Sequence, residues 1–191
     1  RQRGRGALVL STEASPAFVQ MVRSPSELFS YPDSSIFRSL SDDRIKADKP
    51  LARELGCQVG DEWVQISGLR TLGEEGMPIC LADVYVIPEY GSIAQRLGAS
   101  SRPVYEMIAE TFKESIENIT IRLTAGVLSD RKAAVLGVES GSPSLSVSRF
   151  YEGRGGRIFE VSISEHPASN FSYTFEFTRG WQTADHWSWN N

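Results

Sequence analysis

The sequence predicts an α+β fold, with one antiparallel sheet of about six strands and helices on one side or at its ends. Three observations carry the prediction. Residues 62–70 and 77–87 are two strand-like runs joined by Thr-Leu-Gly-Glu-Glu-Gly, which makes a hairpin with a longer loop. Residues 149–161, RFYEGRGGRIFEV, place a glycine cluster between two runs of aromatic and β-branched residues. Helical spacings fall between these strands in blocks, giving the order hairpin, two helices, strand, helix, three strands.

Along the chain, residues 7–10, Ala-Leu-Val-Leu, are a short strand candidate. Residues 11–35 are rich in Ser and Pro and read as a linker with short extended pieces. Asp48 is placed to cap a short helix, Pro50 suits its first turn and Gly56 its end. The hairpin 62–70 and 77–87 follows, and Pro88 ends its second strand. Residues 92–98 and 102–113 are helical; Val104, Ile108 and Phe112, with Tyr105 beside them, share one face. In 118–128, Ile119, Ile121, Leu123, Ala125 and Val127 alternate with more polar residues, as in a strand. Ser129 and Gly137 bracket a two-turn helix. Strands over 143–152, 157–166 and 171–177 complete the order.

A glycine cluster serves either a phosphate cradle or a tight turn. A cradle needs its loop to run into a helix N-terminus, where free N–H groups meet the anion. Here an alternating β-branched run follows Gly156, with no Gly-Lys-Ser or Gly-Lys-Thr triplet, so the hairpin is the reading. A two- or four-residue loop gives one register, with Phe150 opposite Phe159, Ser148 opposite Val161, Arg149 opposite Glu160 and Val147 opposite Ser162. Phe159, Val161 and Ile163 then share one side. Glu160, Ser162, Ser164 and His166 form a polar stripe on the other, either a solvated face or the wall of a site.

The bulk numbers bound the class. The 191 residues suit one domain with a proper core, and 40% hydrophobic with 23% charged residues is a globular composition. No apolar run approaches the roughly 18 residues of a membrane span, and no signal peptide is visible, so a cytoplasmic protein is expected. Cys57 and Cys80 read as reduced, buried residues, and no metal or cofactor is implied. The net charge is −4, and Arg1, Arg3 and Arg5 crowd the start, leaving the body more acidic still. An acidic body argues against nucleic-acid binding by this domain itself. Trp187 and Trp189, two apart near the end, suggest that at least one packs on the body or on a partner chain.

The ordered stretches LARELGCQVGDEWVQISGLR, GMPICLADVYVIP, PVYEMI and DRKAAVLGVESGSPSLSVSRFYEGRGGRIFEVSIS resemble the UTRA effector-binding domain of HutC-type GntR transcription regulators over roughly residues 50 to 178. The features that recur are Leu55-Gly56, Leu69-Arg70, Gly76 and Pro78, Tyr85 with Pro88, Tyr105, Ala134 with Leu136-Gly137, Arg149, Gly156 and Glu160. The resemblance implies a chorismate-lyase-like fold, a homodimer and a small metabolite bound beside the sheet. It also implies that 1–10 are the remnant of a winged helix-turn-helix wing, 11–49 a linker and leading segment, and 50–191 the ligand-sensing and dimerisation domain. DNA would be met only through the missing N-terminal domain.

Carried over residue by residue, Arg70 matches an effector-contacting arginine, Tyr105 lies in the family's Ser-Leu-Tyr segment, and Glu160 matches a pocket glutamate. His166 falls where aminosugar-phosphate-responsive members have a tyrosine. Gly68, Ala82 and Pro103 replace an arginine, a glutamate and a serine of those members, so a smaller or flatter organic acid is the implied effector. The chemistry of the residues agrees. Arg70 is a planar, permanently charged fork for a carboxylate or phosphate. Small Gly68 and Ala82 leave room in front of the sheet, beside polar Glu160, Ser162 and His166. Glu160 either accepts from a ligand amine or hydroxyl or neutralises Arg149 across the strands; Tyr105 and His166 are either ligand contacts or ordinary buried side chains.

The rival classes are a chorismate-lyase-like enzyme acting on a small organic acid, and a dimerisation module without ligand. The sequence offers no nucleophile turn and no metal-ligand cluster, so no catalytic residue is assigned. Light scattering at micromolar concentration should give about twice the chain mass of 21.2 kDa; a persistent monomer would contradict the assembly.

Overall fold

The structure, a computed structural model, describes residues 18–22, 31, 34–73 and 76–176. In chain order the elements are β1 (Phe18–Val22), β2 (Ser35–Lys46), α1 (Lys49–Leu55), β3 (Glu62–Leu72), β4 (Pro78–Val86), α2 (Ala94–Leu97), β5 (Ala99–Ser100), α3 (Val104–Phe112), β6 (Asn118–Val127), α4 (Asp130–Leu136), β7 (Pro143–Glu152), β8 (Ile158–Pro167) and β9 (Phe171–Phe175). Seven strands form one antiparallel sheet in the order β5-β2-β3-β4-β8-β7-β6, and β1 pairs in parallel with β9 apart from it. Residues 7–10, Trp187 and Trp189 lie outside the described residues.

Of the expected caps, Ser129 stands at the N-cap of α4 without a side-chain bond, while those of α1 act as their chemistry requires. The Asp48 side chain accepts from the Leu51 amide at 2.9 Å, and Gly56 ends α1 at φ 71°. Pro88 ends β4 and opens a 3-10 turn, Pro88–Ile93, so the predicted helix over 92–98 shrinks to the four residues of α2.

Three other expectations are corrected. The sheet has seven strands because β2 and the short β5 join it, while β9 leaves it. β2 pairs with β3 along its whole length but is bulged between Ser39 and Ser41 and exposes Asp42, Asp43 and Arg44. Backbone bonds hold it, and its charged outer half suits a near-edge strand, so no alternation marks it. Helices cover both faces of the sheet rather than one. On the first, α2 and α3 supply Ala94, Leu97, Val104 and Ile108 to a core with Val64, Ile66, Val84, Val86 and Tyr151. On the second, Ala52 and Leu55 of α1 pack on Trp63, Tyr85, Phe150, Val161 and Ile163, while α4 sets Ala133 and Leu136 against Leu69 and Leu81. Finally, Cys57 is half-buried rather than buried; it and Cys80 are both free thiols.

The glycine cluster does turn a hairpin, with Gly155 and Gly156 at φ 73° and 74°. Its register differs from the expected one by two residues. Phe150 faces Val161, Ser148 faces Ile163, Val147 faces Ser164 and Arg149 faces Ser162, while Tyr151 faces Glu160. One residue comes from the turn, which pairs Glu152 with Ile158 across five residues, and the other from a bulge between Tyr151 and Glu152. An even slip keeps each paired side chain on its face. Phe159, the unpaired residue of the bulge, is the exception and joins the core with Tyr151 instead of that with Val161. At the outer edge, β6 half-buries Ile119 and Ile121 but exposes Leu123 and Val127.

Gly68 is required by a close approach. A Cβ there would stand 2.3 Å from the Phe37 ring and 2.6 Å from the Arg38 carbonyl oxygen. Gly68→Ala should therefore cost about 1–3 kcal/mol of stability, read as a lowered urea midpoint; an unchanged midpoint would mean that Phe37 yields freely.

Candidate functional site

The pairing sets out one face of the sheet as rows. Phe37, Arg70 and Cys80 are aligned across β2, β3 and β4. Gly68, Ala82, Ser164 and Val147 follow in the next row, then Ile66, Val84, Ser162 and Arg149, then Val64, Val86, Glu160 and Tyr151. The row between Arg70 and Arg149 is thus made of small residues at its centre. Over it, both guanidiniums converge on one ring: their central carbons lie 4.3 Å (Arg70) and 5.3 Å (Arg149) from the centre of Tyr31.

These groups border a cavity of about 40 Å³, which Phe37, Ala82, Tyr105, Tyr151, Glu160 and Ser162 also line. Of the residues chosen from sequence, Arg70, Tyr105, Glu160, Ser162 and Ala82 meet here. Two do not line it: the space before Gly68 is filled by Phe37, and His166 lies behind Tyr31, its Nε2 3.1 Å from the phenol oxygen and its ring stacked on Phe171 at 3.7 Å.

Arg70 is 7% exposed and makes no ion pair among the described residues. Its Nη1 donates to Ser35 Oγ at 3.0 Å, and its flat faces meet Tyr31 and Phe37. Burial pulls its pKa below the usual arginine range. Arg149 donates from Nη2 to the Tyr173 hydroxyl at 2.8 Å. Burial works against its charge, but Tyr31, Tyr173 and Tyr151 outweigh burial and raise its pKa. The cross-strand pair of Arg149 with Glu160 does not form, because the register places Ser162 opposite the arginine.

Glu160 is 2% exposed and its Oε2 has no hydrogen-bond partner among the described residues. Burial alone lifts its pKa well above the carboxylate range, so it holds its proton. His166 is the reverse: burial, and then the charge of Arg149, hold it down to about 3, and it stays neutral. Tyr105 stacks on Tyr151 with centroids 4.5 Å apart and donates to Glu106 at 3.1 Å.

Sequence reasoning missed Tyr31, Ser35 and Tyr173, and gave Arg149 only a pairing role. Tyr31 and Ser35 sat in a stretch read as linker. Tyr173 reaches Arg149 because β9 leaves the sheet, which no periodicity announces. A wider groove of about 590 Å³ opens on the other face. In it Gln65 Nε2 donates to Asp83 at 3.1 Å and Lys132 is paired to Glu165 Oε1 at 2.9 Å.

With this geometry in view, comparison with known proteins is decisive on one point. The sequence model described as UTRA domain matches residues 34–172. The chain belongs to the UTRA domain family. Solved structures share its fold. A PhnF C-terminal domain is 21% identical with a TM-score of 0.68, covering 86% of this chain and 98% of its own. The effector domain of PhnF from Mycobacterium smegmatis is 17% identical with a TM-score of 0.64, covering 76% and 88%. The ligand-binding domain of a GntR-family regulator from Bordetella bronchiseptica is 24% identical with a TM-score of 0.62, covering 76% and 90%. No curated protein sequence matches. UTRA membership gives the chain a ligand-sensing, regulatory character and the chorismate-lyase-like fold. Among the described residues, no helix is long and apolar enough to cross a membrane.

The two buried titrating groups predict a pH profile. His166 is neutral when folded and takes a proton on unfolding below 6.5, so its contribution is full above that pH and is lost down to about 3. Glu160 is protonated when folded and ionises on unfolding above 4.5, so its contribution is full below that pH and is lost as pH rises. Glu160→Gln should gain on the wild type by about 1.4 kcal/mol per pH unit above 4.5. Urea titrations of both proteins at pH 4.5, 5.5 and 6.5 check this; parallel profiles would show Glu160 to be ionised in the fold.

Proposed function

We propose that this UTRA domain senses a small anionic metabolite held in front of Arg70, and transmits the binding event to a DNA-binding domain N-terminal to it. The observation that carries the reading is the state of Arg70. A guanidinium removed from water costs several kcal/mol unless an anion offsets it. Among the described residues its partners are one hydroxyl and two aromatic rings, which leaves the charge available to a ligand. Arg149 stands on the same face as a second cation. Glu160 offers a protonated carboxyl for a ligand acceptor, and Ser162 a hydroxyl.

In this reading residues 1–10 are the end of a winged helix-turn-helix wing, 11–33 lead into the sensor, and the sensing and dimerising domain, expected from residue 50, starts already at β2. The working form is a cytoplasmic homodimer. The site does no bond-making: its groups hold charge and shape, and binding is their output.

Thermal-shift screening of organic acids should find a stabilising ligand. Arg70→Ala should then weaken it by about 2–4 kcal/mol, roughly 30- to 1,000-fold, with fold and dimer intact. An unchanged dissociation constant by calorimetry would place the anion elsewhere.

A further inference from the structure

The cavity in front of Arg70 holds about 40 Å³, against roughly 300–1,000 Å³ for a small-molecule pocket. A metabolite does not fit while Tyr31 stays where it is. We infer that the Tyr31 ring is an internal occupant of the effector seat, and that the effector is a carboxylate on a flat ring of about phenol size that displaces it. The inference rests on the function proposed above.

Four features support it. Tyr31 is the group on which both guanidiniums converge. It meets Arg70 with a π face and Arg149 with its face and its hydroxyl, and both hold a cation more weakly than a carboxylate does. Burial keeps its hydroxyl protonated, so it brings no negative charge to the site. Its ring nevertheless fits the space: it lies against Arg70, stacks near His166 with centroids 6.0 Å apart, and its hydroxyl reaches His166 Nε2. A flat aryl acid could reproduce those contacts and add the missing charge.

The exchange would be felt along the chain. Arg70 holds the start of β2 at two points, the Tyr31 ring and the Ser35 hydroxyl. An anion on Arg70 competes for both. Binding would then release Tyr31 and the Ser35 hydroxyl, while the sheet behind them, paired over the length of β3, stays fixed.

The occupant also taxes affinity, because only the fraction of molecules with Tyr31 out of the seat is competent. The test uses the intact chain with benzoate as ring-sized probe and acetate as ringless control, measured by calorimetry. Tyr31→Ala should bind benzoate about tenfold or more tightly than the wild type, with a smaller gain for acetate. Tyr31→Phe, which keeps the ring but loses the bond to His166, should fall between them and covers the case in which the alanine variant misfolds. In wild type carrying 3-fluorotyrosine at position 31, saturating benzoate should move the 19F resonance to that of a solvent-exposed phenol. If Tyr31→Ala and Tyr31→Phe bind benzoate no better than the wild type while Arg70→Ala still weakens binding, Tyr31 is not the occupant and the anion-sensing function stands. If none of these proteins binds benzoate but another anion binds through Arg70, the ring-sized class is wrong. If Arg70→Ala binds every probe as the wild type does, the function proposed above falls with it.

Discussion

A guanidinium on the inner face of an antiparallel sheet is costly to keep there, and much of this structure follows from keeping Arg70. Its charge lies between the rings of Phe37 and Tyr31, with Ser35 accepting one N–H. Phe37 can lie close only because its neighbour on β3 is Gly68. Ala82 and Ser164 extend that small row, so a sheet that elsewhere packs two apolar cores leaves this patch for cations, phenols and one neutral acid. Helix α3 closes one side of it with Val104 and Tyr105, and β9 comes in from the other with Tyr173 and Phe171.

The two cores make this arrangement durable. Face one is closed by α2 and α3, face two by α1 and α4, so the central strands β3, β4 and β8 are held from both sides. A site on such strands is fixed in position, and what can change is the shell around it, chiefly the side chains from the chain before β2 and from β9. Rigid cations beneath exchangeable aromatics suit a sensor, whose output is a difference between two arrangements of the same contacts.

Much of this was legible in the sequence because it depends on local chemistry. Asp48, Pro50 and Gly56 marked α1, and the glycines after Glu152 marked a hairpin. The faces of Glu160, Ser162 and His166 came out right although the register did not, since a two-residue slip preserves parity. The rest depends on contacts distant in sequence. The bulge that moves Phe159 to the other core has no composition of its own. β2 is a strand because β3 pairs with it, and its charged outer half hides that. Tyr31 reaches His166, far along the chain, and nothing near Tyr31 in the sequence foretells it. Family resemblance supplied Arg70 and Glu160, but not the phenols that meet Arg149.

Glu160 and His166 share one further property, which concerns heat rather than stability. At a pH between 4.5 and 6.5 the unfolded chain carries a carboxylate at Glu160 and an imidazolium at His166, while the folded chain carries neither charge. Folding takes up a proton at one residue and releases one at the other. Across that window this pair exchanges no net proton with the solution. Its part of the unfolding enthalpy is therefore the same in a buffer of high ionisation heat as in one of low. What remains of it there is the heat of the two groups' own ionisation and of their burial, without the buffer's contribution.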